Sequence, residues 1–150
     1  MESLLEESFM INDPIKQDIE SSNDIDLLVR KFYAKVKVNK TLGPIFNKII
    51  SDWEEHLIKL ISFWEANLLF ANTGYRGNPG YKHILVDQHF NNTIEQKHFG
   101  IWLQLWFETL DELFEGEKQI LAKERARKMG HMFFMKMYMA RQAKGSPTKK

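Results

Sequence analysis

The sequence predicts an all-α chain, and three observations carry that expectation. Apolar residues recur at three- and four-residue steps through most of residues 25–141, the repeat of one helix face. Two Ser/Thr-x-x-Glu/Gln patterns, Ser51–Glu54 and Thr93–Gln96, precede apolar runs. Such side chains satisfy the unpaired backbone donors of a helix start. The one strand-like run, Ile84-Leu85-Val86, has no second run nearby to pair with it.

Taken in order, residues 1–22 hold Glu2, Glu6, Glu7, Asp13, Asp18 and Glu20 against the single Lys16 and show little periodicity. They read as a loose acidic N-terminal arm. Ile25, Leu28, Val29, Phe32 and Val36 then mark a first helix, with Asn23 and Asp24 as candidate caps. Gly43-Pro44 punctuates, and a short segment with Ile45 and Phe46 follows. The box at Ser51 opens a helix striped by Trp53, Leu57, Leu60, Ile61, Trp64 and Leu68. His56, Leu60, Phe63 and Asn67 form a second row on that helix.

Residues 73–80 carry three glycines and a proline, which no helix survives, and a short segment from Tyr81 to Val86 follows. The box at Thr93 opens a long helix striped by Phe99, Trp102, Leu103, Trp106, Leu110, Leu113 and Phe114, with Gly116 as its stop. A last helix runs from Glu117 to about Arg141, dense in Ile120, Leu121, Met129, Met132, Phe133 and Met135–Met139. The resulting organisation is an arm over 1–22, one domain over 23–142 and a basic flexible tail over 143–150.

Composition limits what such a domain does. At 150 residues and 43% apolar, with 11 Phe and 4 Trp, the chain supports one core that must accommodate large rings. A formal charge of +1 offers no broad basic field for nucleic acid. The absence of cysteine excludes disulfides, thiolate metal sites, iron–sulfur clusters and a Cys nucleophile. No apolar run exceeds four residues and the first residues lack a signal-peptide pattern, so the expectation is a cytoplasmic protein with no membrane partner. Phosphate-loop, dinucleotide, nucleophile-elbow and His-Glu-x-x-His patterns are all missing. A di-iron bundle needs two Glu-x-x-His pairs, and Glu95–His98 alone fits.

Five histidines remain. His98 and His131 read as structural helix residues and His89 as a solvated loop residue, whereas His56 sits beside an apolar row. His83 follows the glycine-rich break, where a ligand can stand clear of helix packing. An aromatic-rich helical chain with such a histidine suits a flat apolar cofactor with one axial imidazole, haem above all. A haem-free helical interaction module stays open beside it, with Met132, Met135, Met137 and Met139 as an adaptable surface. In the haem reading these methionines are mainly core.

Several segments together are similar to the truncated globins of group III. They are Phe32-Tyr33-Ala34-Lys35-Val36, Leu42-Gly43-Pro44-Ile45-Phe46, Trp53-Glu54-Glu55-His56 and Phe63-Trp64. Tyr75-Arg76-Gly77-Asn78-Pro79 with His83, His98-Phe99, Trp102-Leu103 and Gly116 continue the match. The resemblance covers roughly residues 24–141. It implies a two-over-two helical sandwich around one haem b, with His83 as iron ligand and Tyr33, His56 and Trp102 on the distal side. It also implies that Phe46 packs on the haem face, Leu60 borders the bound gas, and Phe63 and Trp64 wall the pocket.

One departure is the long connection from Ile84 to Ile101, which keeps His89 as a rival ligand. The implied activity is binding of O2 or another diatomic gas. Three donors slow its release, since a hydrogen bond to a charged acceptor contributes about 1.5–3 kcal/mol. Chemistry on nitric oxide or peroxide is a side activity in this reading and calls for a separate electron donor. The expected assembly is a monomer or weak dimer.

Overall fold

In the computed structural model of the chain, the described residues are 15–69 and 94–145. They form α-helices and no strand: α1 (Ser22–Val38), α2 (Gly43–Ile49), α3 (Trp53–Leu68), α4 (Gln96–Leu113) and α5 (Glu117–Gly145). The central element is α1, which packs against α2, α3 and α4, while α5 packs on α4 and α3. None of these helices is long and apolar enough to cross a membrane.

Ile25, Leu28, Val29, Phe32 and Val36 account for the position of α1. All five are completely buried, as their spacing requires, and each such side chain contributes about 1.5–3 kcal/mol on burial. The cap lies earlier than the sequence suggested. Ser21 accepts from the Asp24 N–H and the Asp24 carboxylate accepts from the Ser21 N–H. A reciprocal box satisfies two donors at once, so it displaces Asn23 as the start.

At the start of α2, a Cβ on Gly43 would lie 2.5 Å from the Lys37 carbonyl oxygen. The close approach of α2 to the end of α1 therefore needs glycine, and Pro44 follows in the first helical turn where its missing N–H costs nothing. For α3, Asp52 is the cap, accepting from the Glu55 N–H at 3.1 Å, one residue after the expected Ser51. That releases Glu54, whose two oxygens accept from the Arg30 guanidinium at 2.9 and 2.8 Å. The fork ties the start of α3 to α1. Helix α4 also starts later than expected. The Glu95 N–H donates to His98 Nδ1 at 2.7 Å, and Thr93 of the expected box lies outside the described residues.

Trp106 is the pivot of the core. It is fully buried, its indole N–H donates to the Ala122 carbonyl at 3.1 Å, and its ring stacks on Trp64 at 4.6 Å. Phe32 meets it edge-on at 4.9 Å, and Trp102 lies parallel at 6.4 Å. Fully buried Ala122 and Ala126 bring α5 close to this ring system. Farther along α5 the apolar expectation needs correction. Met137 and Phe133 are core, but Met132, Met135 and Met139 are exposed, as is Ile120 back in the first turn. Both helix faces carry apolar residues in this stretch, and one of them faces away from the bundle.

Part of the stretch read as a loose arm is docked. Ile19 is buried, the Glu115 N–H donates to the Gln17 carbonyl, and the Lys16 ammonium donates to the Asp111 carbonyl. Asp18 accepts from the N–H groups of Lys118 and Gln119 at 2.8 and 2.9 Å. A residue one hundred positions upstream thus supplies the anionic cap of α5, where the helix dipole favours negative charge. Gly116 permits this. Its φ is +144°, and a Cβ there would meet Asp18 atoms at 2.5–2.7 Å. Gly116→Ala is therefore expected to destabilise the fold by about 2 kcal/mol, combining backbone strain with a displaced cap. Urea unfolding measures this, and a loss under about 0.5 kcal/mol would refute the account.

Candidate functional site

Tyr33 follows Phe32 on α1 but turns away from the Trp106 stack. It is only 5% exposed, and three further elements deliver side chains to it. From α2, Phe46 approaches with ring centroids 6.0 Å apart. From α3, His56 meets the phenol ring at 6.0 Å and 88°, and Trp53 stands at 6.0 Å and 51°. From α4, Trp102 brings its indole N–H toward the phenol oxygen. Trp102 is held by Phe32, edge-on at 5.8 Å, and by Trp106.

The electrostatics of the phenol follow from this enclosure. Burial pushes the Tyr33 hydroxyl up to about 12, because the interior solvates a phenolate poorly, and the Trp102 N–H opposes that shift only weakly. Tyr33 is therefore neutral at any physiological pH. A neutral phenol keeps its own proton as a donor. The folded-state value lies above the ordinary value of about 10, so the neutral phenol's stabilisation is complete below pH ~10 and is lost as pH rises to about 12.

On α3, His56, Leu60 and Phe63 are all half-buried along one row, whereas Leu57, Ile61, Trp64 and Leu68 of the neighbouring stripe are buried against the core. The sequence grouped Leu60 and Trp53 with the buried stripe; both are half-buried. Trp64 stands one layer back, stacked on Trp106. Asn67 closes the row, donating to the Phe63 carbonyl and accepting from Arg125 of α5 at 3.1 Å. The structure thus brings Tyr33, His56, Trp102 and Phe46 together, with Leu60 and Phe63 continuing along α3 from His56.

His83 and His89 lie outside the described residues. Of the other histidines, His98 serves the start of α4 through its Nδ1 and His131 is exposed on α5. No group of three or more metal-ligating side chains occurs among the described residues. The residue that sequence reasoning passed over is Trp53. Its indole N–H donates to Asn47 Oδ1 at 3.2 Å, the Lys37 ammonium sits 4.6 Å over its ring, and its edge meets His56 at 5.8 Å. Its position one turn before His56 was the signal available.

What the cluster can do chemically is narrow. A fixed, neutral O–H donor and an imidazole face one another within a mostly apolar surround, which suits a small ligand that accepts hydrogen bonds. No protein-family model matches the chain. The crystal structure of a group III truncated hemoglobin from Campylobacter jejuni superposes with a TM-score of 0.73, at 32% identity over 83% of this chain and 96% of that one. These helices and this cluster define a truncated, two-over-two globin. In sequence, the group 3 truncated hemoglobin ctb of Campylobacter jejuni is 32% identical over 128 residues, which is 83% of this chain and 96% of that protein. The chain belongs to the group 3 truncated haemoglobins.

Proposed function

We propose that the protein binds haem b and, through it, O2 or another diatomic gas. The observation that carries this reading is the Tyr33 hydroxyl, buried and neutral beside Trp102 and facing the His56 ring. The donor set fits the cofactor. Haem needs an apolar slot with few polar groups on its gas-binding side, and half-buried Phe46, Leu60 and Phe63 adjoin two polar side chains there. When bound, the haem supplies the iron at which a diatomic gas is held.

The residues then divide the work. His83 would hold the iron through a neutral imidazole, as globins do. Phe46, Leu60 and Phe63 would contact the macrocycle and keep water from it, with Trp64 supporting that wall from the core. Tyr33 presents its proton to the gas. Trp102 stands beside the phenol and narrows the directions open to that proton. His56 closes the other side and offers a second donor. Donors placed in this way slow gas release, so the protein suits scavenging, sensing or chemistry on the gas better than bulk carriage. Turnover of nitric oxide or peroxide requires an external electron donor. Monomeric or weakly dimeric assembly in the cytoplasm belongs to the same reading.

Absorption spectra of the purified protein, oxidised, reduced with dithionite, then exposed to O2 and carbon monoxide, test it. A strong haem band and a stable oxygenated form are expected. No band after adding hemin would refute the proposal and leave the interaction module, for which the exposed Met132, Met135 and Met139 are the available surface. Tyr33→Phe keeps the packed ring and removes the proton. It is expected to raise the O2 dissociation rate about tenfold or more, the equivalent of one hydrogen bond to a charged acceptor. Stopped-flow measurement decides this, and an unchanged rate would take Tyr33 out of the donor set. The wild-type rate should show no titration of Tyr33 between pH 6 and 9, given its position near 12.

A further inference from the structure

Trp53 supplies no donor to the proposed gas, since its indole N–H is engaged by Asn47. It is nevertheless held more elaborately than a helix-terminal side chain requires. Asn47 of α2 holds its edge at 3.2 Å and Lys37 at the end of α1 lies over its face at 4.6 Å. Its ring meets the His56 imidazole almost perpendicularly, 5.8 Å away at 86°. The imidazole itself stands perpendicular to the Tyr33 phenol at 6.0 Å. The Tyr33 and Trp53 rings are themselves 6.0 Å apart, so His56 completes a triangle of three rings, with Tyr33 buried and Trp53 at the margin of the cluster.

The start of α3 does not need this arrangement. Asp52 already caps the helix, and the Arg30–Glu54 fork already ties it to α1. A tryptophan with a purely packing role resembles Trp106, fully buried with its N–H on a backbone carbonyl. Trp53 is instead half-buried and pinned by polar groups from two other elements.

We infer that Trp53 is a positioning residue: it holds the His56 imidazole inward over Tyr33 and so sets how readily a gas passes His56. The inference rests on the haem reading. The imidazole can point inward against the two rings or outward to solvent. An edge-to-face aromatic pair biases such a choice about two- to tenfold. Asn47 and Lys37 keep the indole from following the imidazole outward.

The test uses the haem-loaded full chain and carbon monoxide, a weak hydrogen-bond acceptor whose association rate reports access rather than donor strength. After flash photolysis, Trp53→Ala is expected to raise the second-order rebinding rate about fivefold, the middle of that aromatic bias. Trp53→Phe, which restores a ring edge against His56, is expected to return it to within about twofold of wild type. Asn47→Leu, which leaves the indole and removes its anchor, is expected to give about a twofold rise. In a His56→Ala background, Trp53→Ala should change the rate by less than about twofold, because the residue through which it acts is gone.

An unchanged rate in Trp53→Ala with a normal haem spectrum overturns the inference. So does an undiminished rise in the His56→Ala background, which would make the indole itself the barrier. If Trp53→Ala fails to fold, the Asn47→Leu rate and its loss in the His56→Ala background decide the matter. Wild-type protein that takes up no hemin overturns the haem reading and this inference together, a result visible before any rate is measured.

Discussion

His83→Ala is expected to purify colourless and to hold added hemin only weakly, with no sharp haem band surviving gel filtration. Iron held by a single protein ligand depends on one neutral imidazole, and its removal leaves only apolar contacts and the distal side chains. The described histidines offer no substitute. His56 is on the Tyr33 side, His98 accepts from the Glu95 backbone through Nδ1, and His131 is exposed on the last helix. Hemin titration followed by absorbance measures the effect, with His89→Ala as control. Retained haem in His83→Ala and lost haem in His89→Ala would reassign the ligand to His89.

The second large effect is structural. Trp106→Ala is expected to lower stability by about 3–5 kcal/mol, the usual cost of removing a large buried aromatic ring. Domains of this size have about 5–15 kcal/mol in total, so the variant should approach the threshold of unfolding at moderate temperature. Three contacts account for the size of the loss: the stack on Trp64, the edge of Phe32 and the indole hydrogen bond to Ala122. Trp106→Phe retains part of the first two and loses the third, so its cost should be smaller. Urea unfolding compares them, and a loss below about 1 kcal/mol for Trp106→Ala would mean that this stack does not organise the core. Trp102 is also expected to loosen when its neighbour is removed, so the surviving protein should release O2 faster than wild type.

Much of the fold could be read from spacing. The α1 stripe is buried in full because a helix with apolar residues at 25, 28, 29, 32 and 36 has one face to hide. Helix starts were displaced by one to three residues, and each displacement has a local cause. Ser21 and Asp24 form a reciprocal box, Asp52 reaches the Glu55 N–H, and His98 accepts from the Glu95 N–H. Where several Ser, Asp and Asn side chains precede a helix, small differences in backbone geometry choose among them. On α5 the limit is different. Apolar residues occupy more than one face between Met129 and Met139, so periodicity alone does not say which face is inward.

Of the candidate site, Tyr33, His56, Trp102 and Phe46 were named from residues and resemblance, and they do come together. The resemblance treated the three polar side chains as parallel donors. Their arrangement couples two of them, because Trp102 favours the ionised form of the Tyr33 phenol against the effect of burial. Trp53 read as one more member of an apolar stripe, since a tryptophan's sequence position does not disclose that Asn47 and Lys37 hold it at the margin.

The sequence by itself determined the helices, the buried faces and the residue types available for a haem-and-gas site, because these depend on periods of three and four and on side-chain chemistry. Only the tertiary structure decided that Asp18 caps α5, that α5 turns Met137 inward and Met139 outward, and that His56 packs against both Tyr33 and Trp53. Each of those depends on groups far apart along the chain being brought within a few ångströms, and that is set by packing around Trp106 rather than by local pattern.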